Sequence, residues 1–264
     1  MATRLTWLGH ATVLVDFSGT RVLTDPVLRG RVAHLVRHGP VPQLPSGLDA
    51  VLLSHLHRDH ADVPTLRRIE PHVPVIGPRG TRAALGRARR ADVREVVVGD
   101  VVDVAPDVRV RAVPARHDGR RRPVGGAPAD ALGFVVEGDA RVYFAGDTDL
   151  FDGMTRIGAD ALDVALLPVW GWGPGVGSGH MDPERAARAA ARLRPRVAVP
   201  IHWATFLPAG LGRRHGHLLR EPGPAFAERV ARLAPQVRTE LLAPGHSIEV
   251  HPAGARPPRF IPIR

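Results

Sequence analysis

The 264-residue chain contains no cysteine. Disulfide bonds and thiolate metal ligands are therefore excluded, and any bound metal must be held by histidine, aspartate or glutamate. Lysine and asparagine are absent too, so all 36 basic residues are arginines. Both missing residues have AT-rich codons, so a GC-rich coding sequence is a sufficient explanation for the use of arginine.

The net charge of +10 would by itself suggest a polyanionic partner. Codon usage explains the choice of arginine, but not the excess of 36 basic over 26 acidic residues. Aromatic residues make up only 5% of the chain, and no basic patch is interleaved with them. We therefore expect a small anionic substrate and no nucleic-acid partner.

Long apolar runs are missing as well. No segment approaches the roughly 20 consecutive apolar residues that span a bilayer. The first residues, MATRLTWLGHATVLVDF, alternate apolar and polar positions, whereas a signal peptide has a continuous apolar stretch. We expect a chain without a transmembrane segment and with a cytoplasmic location.

Short strand-like runs recur along the chain with turn signals between them, at 5–8, 12–17, 21–24, 50–53, 73–76, 95–98, 108–113, 133–137, 141–144, 164–167 and 197–199. Helical patterns cover 62–69, 80–90 and 225–233, and a further helix begins at Asp182 and ends before Pro195. No linker interrupts the chain, so we predict one domain over 1–264 with two stacked sheets and helices outside. Three long segments, at 28–47, 116–131 and 203–223, are expected to be site-forming loops.

Residues 51–63 read VLLSHLHRDHADV, an aliphatic run followed at once by three histidines and an aspartate. The letters HRD also occur in kinase catalytic loops, but this chain has no Gly-rich loop, DFG triplet or lysine. Three other strand-like runs end at His117, Asp147 and His202. Taken singly, these fit a surface histidine, a turn cap and a core histidine, respectively. Strand ends that share one edge of a sandwich would instead bring all of them together as a metal site.

Imidazoles and carboxylates are typical ligands of zinc, and also of iron or manganese. His55 and His57 are two residues apart, so an extended segment presents both to the same side. Asp59 and His60 lie further on, where they can bind a second ion, and Asp147 can bridge two cations. Two ions a few Å apart can polarise a scissile bond and generate hydroxide near neutral pH. The pattern therefore predicts metal-assisted hydrolysis.

These residues, in HxHxDH spacing and followed by PARHDG, AGDTD and PIHW, resemble the metallo-β-lactamase superfamily over nearly the whole chain. Further segments are similar to the branch that contains L-ascorbate-6-phosphate lactonase and N-acyl-phosphatidylethanolamine phospholipase D: TWLGHATVLVDF, TDP at 24–26, YFAGDTD, HMDPERA and PIHWATF. The resemblance implies an α+β fold, a four-layer αββα sandwich with the site at one edge.

The resemblance also implies a ligand set. His55, His57 and His117 would hold one divalent ion, Asp59, His60 and His202 a second, and Asp147 would bridge them. Zinc is the expected metal, with manganese or iron as alternatives, and a bridging hydroxide would attack the substrate. A phosphodiester or a small anionic ester is the expected substrate. A lactone is the alternative, and a nucleic-acid-processing activity is a third.

Several other residues are candidates for supporting roles. The catalytic candidates are Asp59, which is also a predicted ligand, and His180, which lies just before the helix at Asp182 and could donate a proton or be a plain loop histidine. His10 and Asp25 are expected to orient ligand imidazoles, although Asp25 could also be a turn residue. Other predicted substrate contacts are Arg116 with its neighbours Arg120, Arg121 and Arg122, which could equally be solvated, and Trp170 and Trp172 as a mobile wall of the pocket.

Overall fold

The computed structural model describes residues 2–86, 92–121 and 129–251. The described strands are β1 (Thr3–Gly9), β2 (Thr12–Phe17), β3 (Thr20–Thr24), β4 (Arg31–Val32), β5 (Leu35–Arg37), β6 (Ala50–Leu52), β7 (Val75–Pro78), β8 (Val93–Val96), β9 (Val101–Ala105), β10 (Val108–Pro114), β11 (Leu132–Glu137), β12 (Arg141–Phe144), β13 (Val164–Pro168), β14 (Val197–Ile201), β15 (Phe206–Pro208), β16 (Arg238–Thr239) and β17 (Ser247–Val250). The helices are α1 (Val63–Leu66), α2 (Thr81–Leu85), α3 (Met154–Gly158), α4 (Pro183–Leu193), α5 (Gly212–His215) and α6 (Pro222–Leu233), with a 3-10 turn at Gly216–Leu219.

The strands form two seven-stranded sheets, in the orders β17-β1-β2-β3-β6-β7-β8 and β16-β14-β13-β12-β11-β10-β9. Their inner faces meet in one apolar core, where Trp7 and Val15 of the first sheet join Val110 and Phe134 of the second. Strand side chains alternate between faces, so a second set points outward on each sheet. The buried apolar areas on both sides of each sheet explain why both sheets are covered by helices.

The outer face of the first sheet packs against α1 and α2, through Leu66 and Leu85. The outer face of the second packs against α3, α4 and α6, where α4 contributes a row of buried alanines. The predicted four-layer αββα sandwich is therefore confirmed.

Helix α4 has the boundaries that its sequence predicts. The side chain of Asp182 accepts a hydrogen bond from the Arg185 backbone N–H (2.8 Å), and Pro183 occupies the first turn. Arg194 adopts the left-handed conformation (φ 51°) directly before Pro195, which cannot continue the helix. His180 lies two residues before this capped N-terminus.

Two of the three predicted loops contain regular structure, so the prediction that they are loops is wrong for these parts. Strands β4 and β5 lie within 28–47, and β15 lies within 203–223; together they form a small third sheet. Strands of two or three residues are too short to produce a detectable period. The other additions to the prediction are β9, β16, β17, α3 and α5. The predicted helix at 80–90 covers Thr81–Leu85, and residues 87–91 lie outside the described part.

Within residues 2–86, 92–121 and 129–251, no helix is long and apolar enough to cross a bilayer. The cytoplasmic location stays a prediction. So does the single domain over 1–264, which extends beyond the described residues.

Candidate metal centre

The site lies where strand ends of both sheets meet. In the first sheet β3 and β6 are parallel, and β1 runs in the same direction as β3 because β2 pairs antiparallel with both. In the second sheet β12, β13 and β14 are parallel, and β10 runs in the same direction as β12 because β11 pairs antiparallel with both. The six strands β1, β3, β6, β10, β12 and β14 are each followed by a polar residue of the site: His10, Asp25, His55, His117, Asp147 and His202. The convergence predicted from strand ends is therefore a property of the fold.

One group of donors consists of His55, His57 and His117, whose ligand atoms lie within 4.8 Å of one another. His117 Nε2 is 3.3 Å from His57 Nδ1. His117 Nδ1 donates to the carbonyl oxygen of Gly179 (2.9 Å), so its Nε2 carries the free lone pair. This group corresponds to the first metal position predicted from the sequence.

A second group consists of His10, Asp59, His60 and His202. The Nε2 atoms of His60 and His202 are 3.3 Å apart, and Asp59 Oδ2 lies 3.8 Å from His60 Nε2. His202 Nδ1 donates to the carbonyl oxygen of Trp170 (2.7 Å), which leaves Nε2 as the ligand atom. The structure thus places Asp59, His60 and His202 together, as the second metal position requires.

Asp147 lies between the two groups. Its Oδ2 is 3.1 Å from His60 Nε2 and 3.9 Å from His55 Nε2, and its Oδ1 is 3.2 Å from His202 Nε2. His180 also approaches it, with Nε2 at 3.3 Å from Oδ2. Asp147 is therefore the residue that touches donors of both groups.

The donor set fits divalent metal ions. Among the described residues, His55 Nε2 and Asp147 Oδ1 are buried and make no hydrogen bond. Such orphaned atoms are costly in a protein interior unless another partner satisfies them. Several imidazole nitrogens face one another at 3.3 Å, and two lone pairs at that distance repel unless a cation or proton lies between them. Both features are accounted for by bound cations with nitrogen and oxygen ligands.

Most of the imidazoles are neutral at pH 7. Burial, together with the nearby His117 and His60, lowers the pKa of His57 to about 4. Burial is also the main cause that lowers the pKa of His202 to about 3. The pKa of His55 is well below its ordinary value for the same reason. Neutral imidazole is the form that binds metal ions.

His60 differs from these histidines. Burial opposes its protonation, but the carboxylates of Asp147, Asp25 and Asp59 raise its pKa well above the ordinary value. Burial would likewise raise the pKa of Asp147, but His202 and His60 hold it well below the usual range. Carboxylates thus provide the negative charge of the site, and without a metal they favour the protonated form of His60.

The supporting residues predicted from the sequence have different partners. Asp25 accepts a hydrogen bond from His60 Nδ1 (2.7 Å), as expected for a residue that orients a ligand imidazole. His10 Nε2 instead lies 3.2 Å from Asp59 Oδ2, so its polar contact is to a carboxylate and not to an imidazole. The ring of His10 packs at 4.0 Å, centre to centre, on that of His202.

The backbone at the site is unusual in a way that residue patterns do not reveal. His10, Asp25 and His202 all have positive φ angles, of 54°, 32° and 63°. Residues other than glycine rarely adopt this backbone conformation, and such strain concentrates at functional sites. The left-handed turn after each strand redirects the side chain toward the cluster.

A cavity of about 330 Å³ opens beside the cluster. Its polar lining residues are His34, His57, Arg58, Asp59, Arg121, Asp147 and His180, and its apolar lining residues are Val32, Ala33, Leu35 and Trp172. The hairpin of β4 and β5 and the metal centre therefore line the same cavity. This hairpin lies within 28–47, one of the segments expected to form the site, although the sequence did not single out His34.

Of the described arginines that were predicted to contact the substrate, only one lines the cavity. Arg121 lines the cavity, and its Nη1 donates to the carbonyl oxygens of Leu56 (3.1 Å) and Ala61 (2.6 Å). The side chain of Arg116 is exposed and does not line the cavity, Arg120 pairs with Asp118 at the surface, and Arg122 lies outside the described residues.

The two tryptophans also separate. Trp172 lines the cavity, whereas the Trp170 side chain lines a different groove and serves the site through its carbonyl oxygen.

Comparison with known proteins decides the family. The profile of the beta-lactamase superfamily domain matches residues 20–203, which include the cluster from Asp25 to His202. The chain belongs to the beta-lactamase superfamily. Of the metal-dependent hydrolases in this superfamily, a UPF0173 metal-dependent hydrolase of Opitutus terrae is 33% identical over 256 residues, covering 94% of this chain and 100% of that protein. The recognition made from the motifs is confirmed.

Two further relatives of the chain match it over only part of their own length. An N-acyl-phosphatidylethanolamine-hydrolysing phospholipase D of Caenorhabditis elegans is 30% identical over 227 residues, covering 76% of this chain and 64% of the nematode protein. A Mycobacterium tuberculosis relative is 35% identical over 224 residues, covering 78% of this chain. The match spans only 60% of the mycobacterial protein's length.

Solved structures agree on the superfamily fold. Igni18, a metallo-hydrolase of Ignicoccus hospitalis, superposes with a TM-score of 0.71 at 23% identity, covering 94% of this chain and 98% of that one. CmlA, a diiron β-hydroxylase of Streptomyces venezuelae, gives a TM-score of 0.68 at 18% identity, covering 94% of this chain and 54% of CmlA. At these identities the likeness establishes the fold alone.

Proposed function

We propose that this chain is a hydrolase with two divalent metal ions, zinc in the first instance, that cleaves a phosphodiester or a small anionic ester. The observation that supports it best is the position of Asp147 between two groups of donors, His55–His57–His117 and Asp59–His60–His202. Bound divalent ions polarise the scissile bond, stabilise developing negative charge and activate water near neutral pH. The nematode relative's name, a phospholipase D, supports a phosphodiester.

The chain's own residues would do the rest of the work. Gly179 and Trp170 orient His117 and His202 through backbone carbonyls, so both imidazoles present Nε2 to the cluster. His180, at the cavity wall and 3.3 Å from Asp147, is our candidate to protonate the leaving group. Arg121, held by two backbone carbonyls, is the candidate to contact an anionic group of the substrate.

A lactone is the second candidate substrate. The cavity of about 330 Å³ is at the small end of ligand pockets, and one wall consists of Val32, Leu35 and Trp172. A compact ring with an apolar side fits such a wall better than an extended polar chain does. The two candidates share the metal chemistry and differ in the group that Arg121 and the apolar wall would contact.

Metal analysis combined with a substrate panel tests the proposal. We expect about two zinc ions per purified chain, hydrolysis of either model phosphodiesters or small lactones, and loss of that activity with chelator. His57→Ala should remove the activity, whereas His72→Ala, at an exposed histidine outside the cluster, should leave it unchanged. Fewer than two ions per chain, or an active His57→Ala variant, would contradict the proposal.

Zinc binding should release about one proton per chain near pH 7. The reason is the raised pKa of His60, which is protonated in the metal-free protein, whereas His55, His57 and His202 are already neutral. The apparent affinity should therefore rise with pH until His60 loses its proton. Calorimetric titration in buffers of different ionisation enthalpy measures the number of protons released. A count of zero at pH 7 would contradict the expectation that a protonated His60 loses its proton when zinc binds.

A further inference from the structure

Ser54 lies two residues after the end of strand β6 and directly before His55. It is fully buried, and its contacts are unusually complete. Its backbone N–H donates to Asp25 Oδ1 (2.8 Å), and its hydroxyl donates to Asp25 Oδ2 (2.5 Å). One buried carboxylate thus accepts both donors of Ser54.

The single proton of the Ser54 hydroxyl then determines which ring nitrogen of the neighbouring His55 is protonated. The Ser54 hydroxyl has one proton, and it points to the carboxylate, so toward His55 the oxygen can only accept. His55 Nδ1 lies 3.0 Å from that oxygen and must carry the proton. The lone pair of His55 is therefore on Nε2, the buried atom that lacks a hydrogen bond and faces Asp147.

The same carboxylate also orients the other metal position. Asp25 Oδ2 accepts directly from His60 Nδ1 (2.7 Å), so the His60 Nε2 atom faces His202 and Asp147. His55 belongs to the first donor group and His60 to the second. Asp25 therefore touches a ligand of the first group through Ser54, and a ligand of the second group without an intermediary.

We propose that Ser54 is a positioning residue for the first metal site, and that Asp25 links the orientation of ligands in both sites through it. This inference rests on the proposed function in assuming two metal ions. The two branches are unequal: a carboxylate contacts His60 directly, whereas only a neutral hydroxyl contacts His55. Loss of Ser54 should affect one ion, and loss of the Asp25 carboxylate should affect both.

Stepwise zinc affinities, measured by competition with a chromophoric chelator, test this asymmetry. Ser54→Ala should weaken one of the two bound ions by about 10-fold or more and leave the other within about twofold, because loss of a group that orients a ligand typically costs 10- to 100-fold in metal affinity. Asp25→Asn should weaken both ions. Equal effects of Ser54→Ala on both ions, or no effect on either, would overturn the inference.

Thr65 offers a matched control. Its hydroxyl is equally buried, donates to the Asp62 carboxylate (2.7 Å) and accepts from the Leu28 N–H (3.0 Å), but it contacts no histidine of the cluster. Thr65→Val should therefore lower thermal stability in the way that Ser54→Ala does, without changing either zinc affinity. A change in zinc affinity shared by Thr65→Val would show that general destabilisation, and not ligand orientation, is responsible.

Imidazole nitrogen shifts in the metal-free protein separate this inference from the proposed function. His55 should be the Nδ1–H tautomer in the wild-type chain, and it should lose this preference in Ser54→Ala. An Nε2–H tautomer in the wild type would overturn the positioning role whatever the metal count. A wild-type chain that binds only one ion, with His55 still the Nδ1–H tautomer, would contradict the dinuclear proposal and leave the Ser54 contact supported.

Discussion

The Asp147→Asn variant is expected to lose at least about 100-fold in kcat/KM and to retain fewer than two metal ions. Residues that only orient a ligand typically cost 10- to 100-fold when replaced, so a residue that contacts donors of both sites should cost more. Asp147 lies 3.1–3.3 Å from the Nε2 atoms of His60, His202 and His180. An amide keeps the shape of the side chain but replaces one oxygen by a donor and removes the negative charge.

Asp149 provides the control from the same AGDTD segment. It contacts Arg185 and its own neighbour Leu150, and none of the described contacts joins it to a histidine of the cluster. Asp149→Asn should keep two ions per chain and activity near the wild-type level. Metal content by elemental analysis and kcat/KM on the active panel substrate should be measured on the same samples. An Asp147→Asn variant with two ions and activity within about tenfold of wild type would exclude a bridging role.

The part of this site that could be predicted is the part that depends on local pattern. An apolar run followed by a polar residue indicates a strand end, and His55, His117, Asp147 and His202 all follow such runs. Strand direction then brings the ends together, as the parallel pairs β3–β6 and β12–β13 show. The chain contains 14 histidines, and this positional pattern together with the HxHxDH spacing selects His55, His57, His60, His117 and His202 from them.

What could not be predicted depends on contacts between residues far apart in the chain. Strand β15 pairs with β5 across roughly 170 residues, so neither short segment has a local signal. Arg37 is buried and donates to the carbonyl oxygens of Val27 (2.6 Å) and Arg29 (3.1 Å), which fixes the hairpin that walls the cavity. Burial lowers the pKa of Arg37 to about 10. Nothing in an arginine-rich sequence distinguishes this residue from the 35 others, because its role follows from its burial and its hydrogen-bond partners in the folded chain.

Ser54 shows the same limit within the motif itself. A serine between a strand and HxHxDH looks like an ordinary strand-end residue until Asp25, 29 positions earlier, is placed beside it. Gly146 is the counterpart on the second sheet: its backbone passes so close to Ser54 that no side chain fits between the two segments. The facing sheets therefore need a small residue and a glycine at the point where their ligands meet.

Gly146→Ala is accordingly expected to destabilise the fold by about 3 kcal/mol, the sum of two costs. The residue has φ +59°, which costs a non-glycine residue about 1 kcal/mol. A Cβ at this position would lie 2.4 Å from Ser54 Cβ and 3.2 Å from the Leu132 carbonyl oxygen, and such overpacking costs about 1–3 kcal/mol. Urea unfolding in the presence of chelator measures the free energy of unfolding without a contribution from metal binding.

Gly47→Ala separates the two costs. Gly47 has nearly the same backbone angle, φ +60°, but the nearest atom to an added Cβ is Arg21 Nη1 at 3.7 Å, an ordinary contact. This variant should therefore pay the conformational cost alone, about 1 kcal/mol. The difference between the two variants is the steric cost of bringing Asp147 against the Ser54 segment. Equal destabilisation by both substitutions would mean that the sheets can move apart at this point, and the close approach of the two ligand segments would then not depend on glycine.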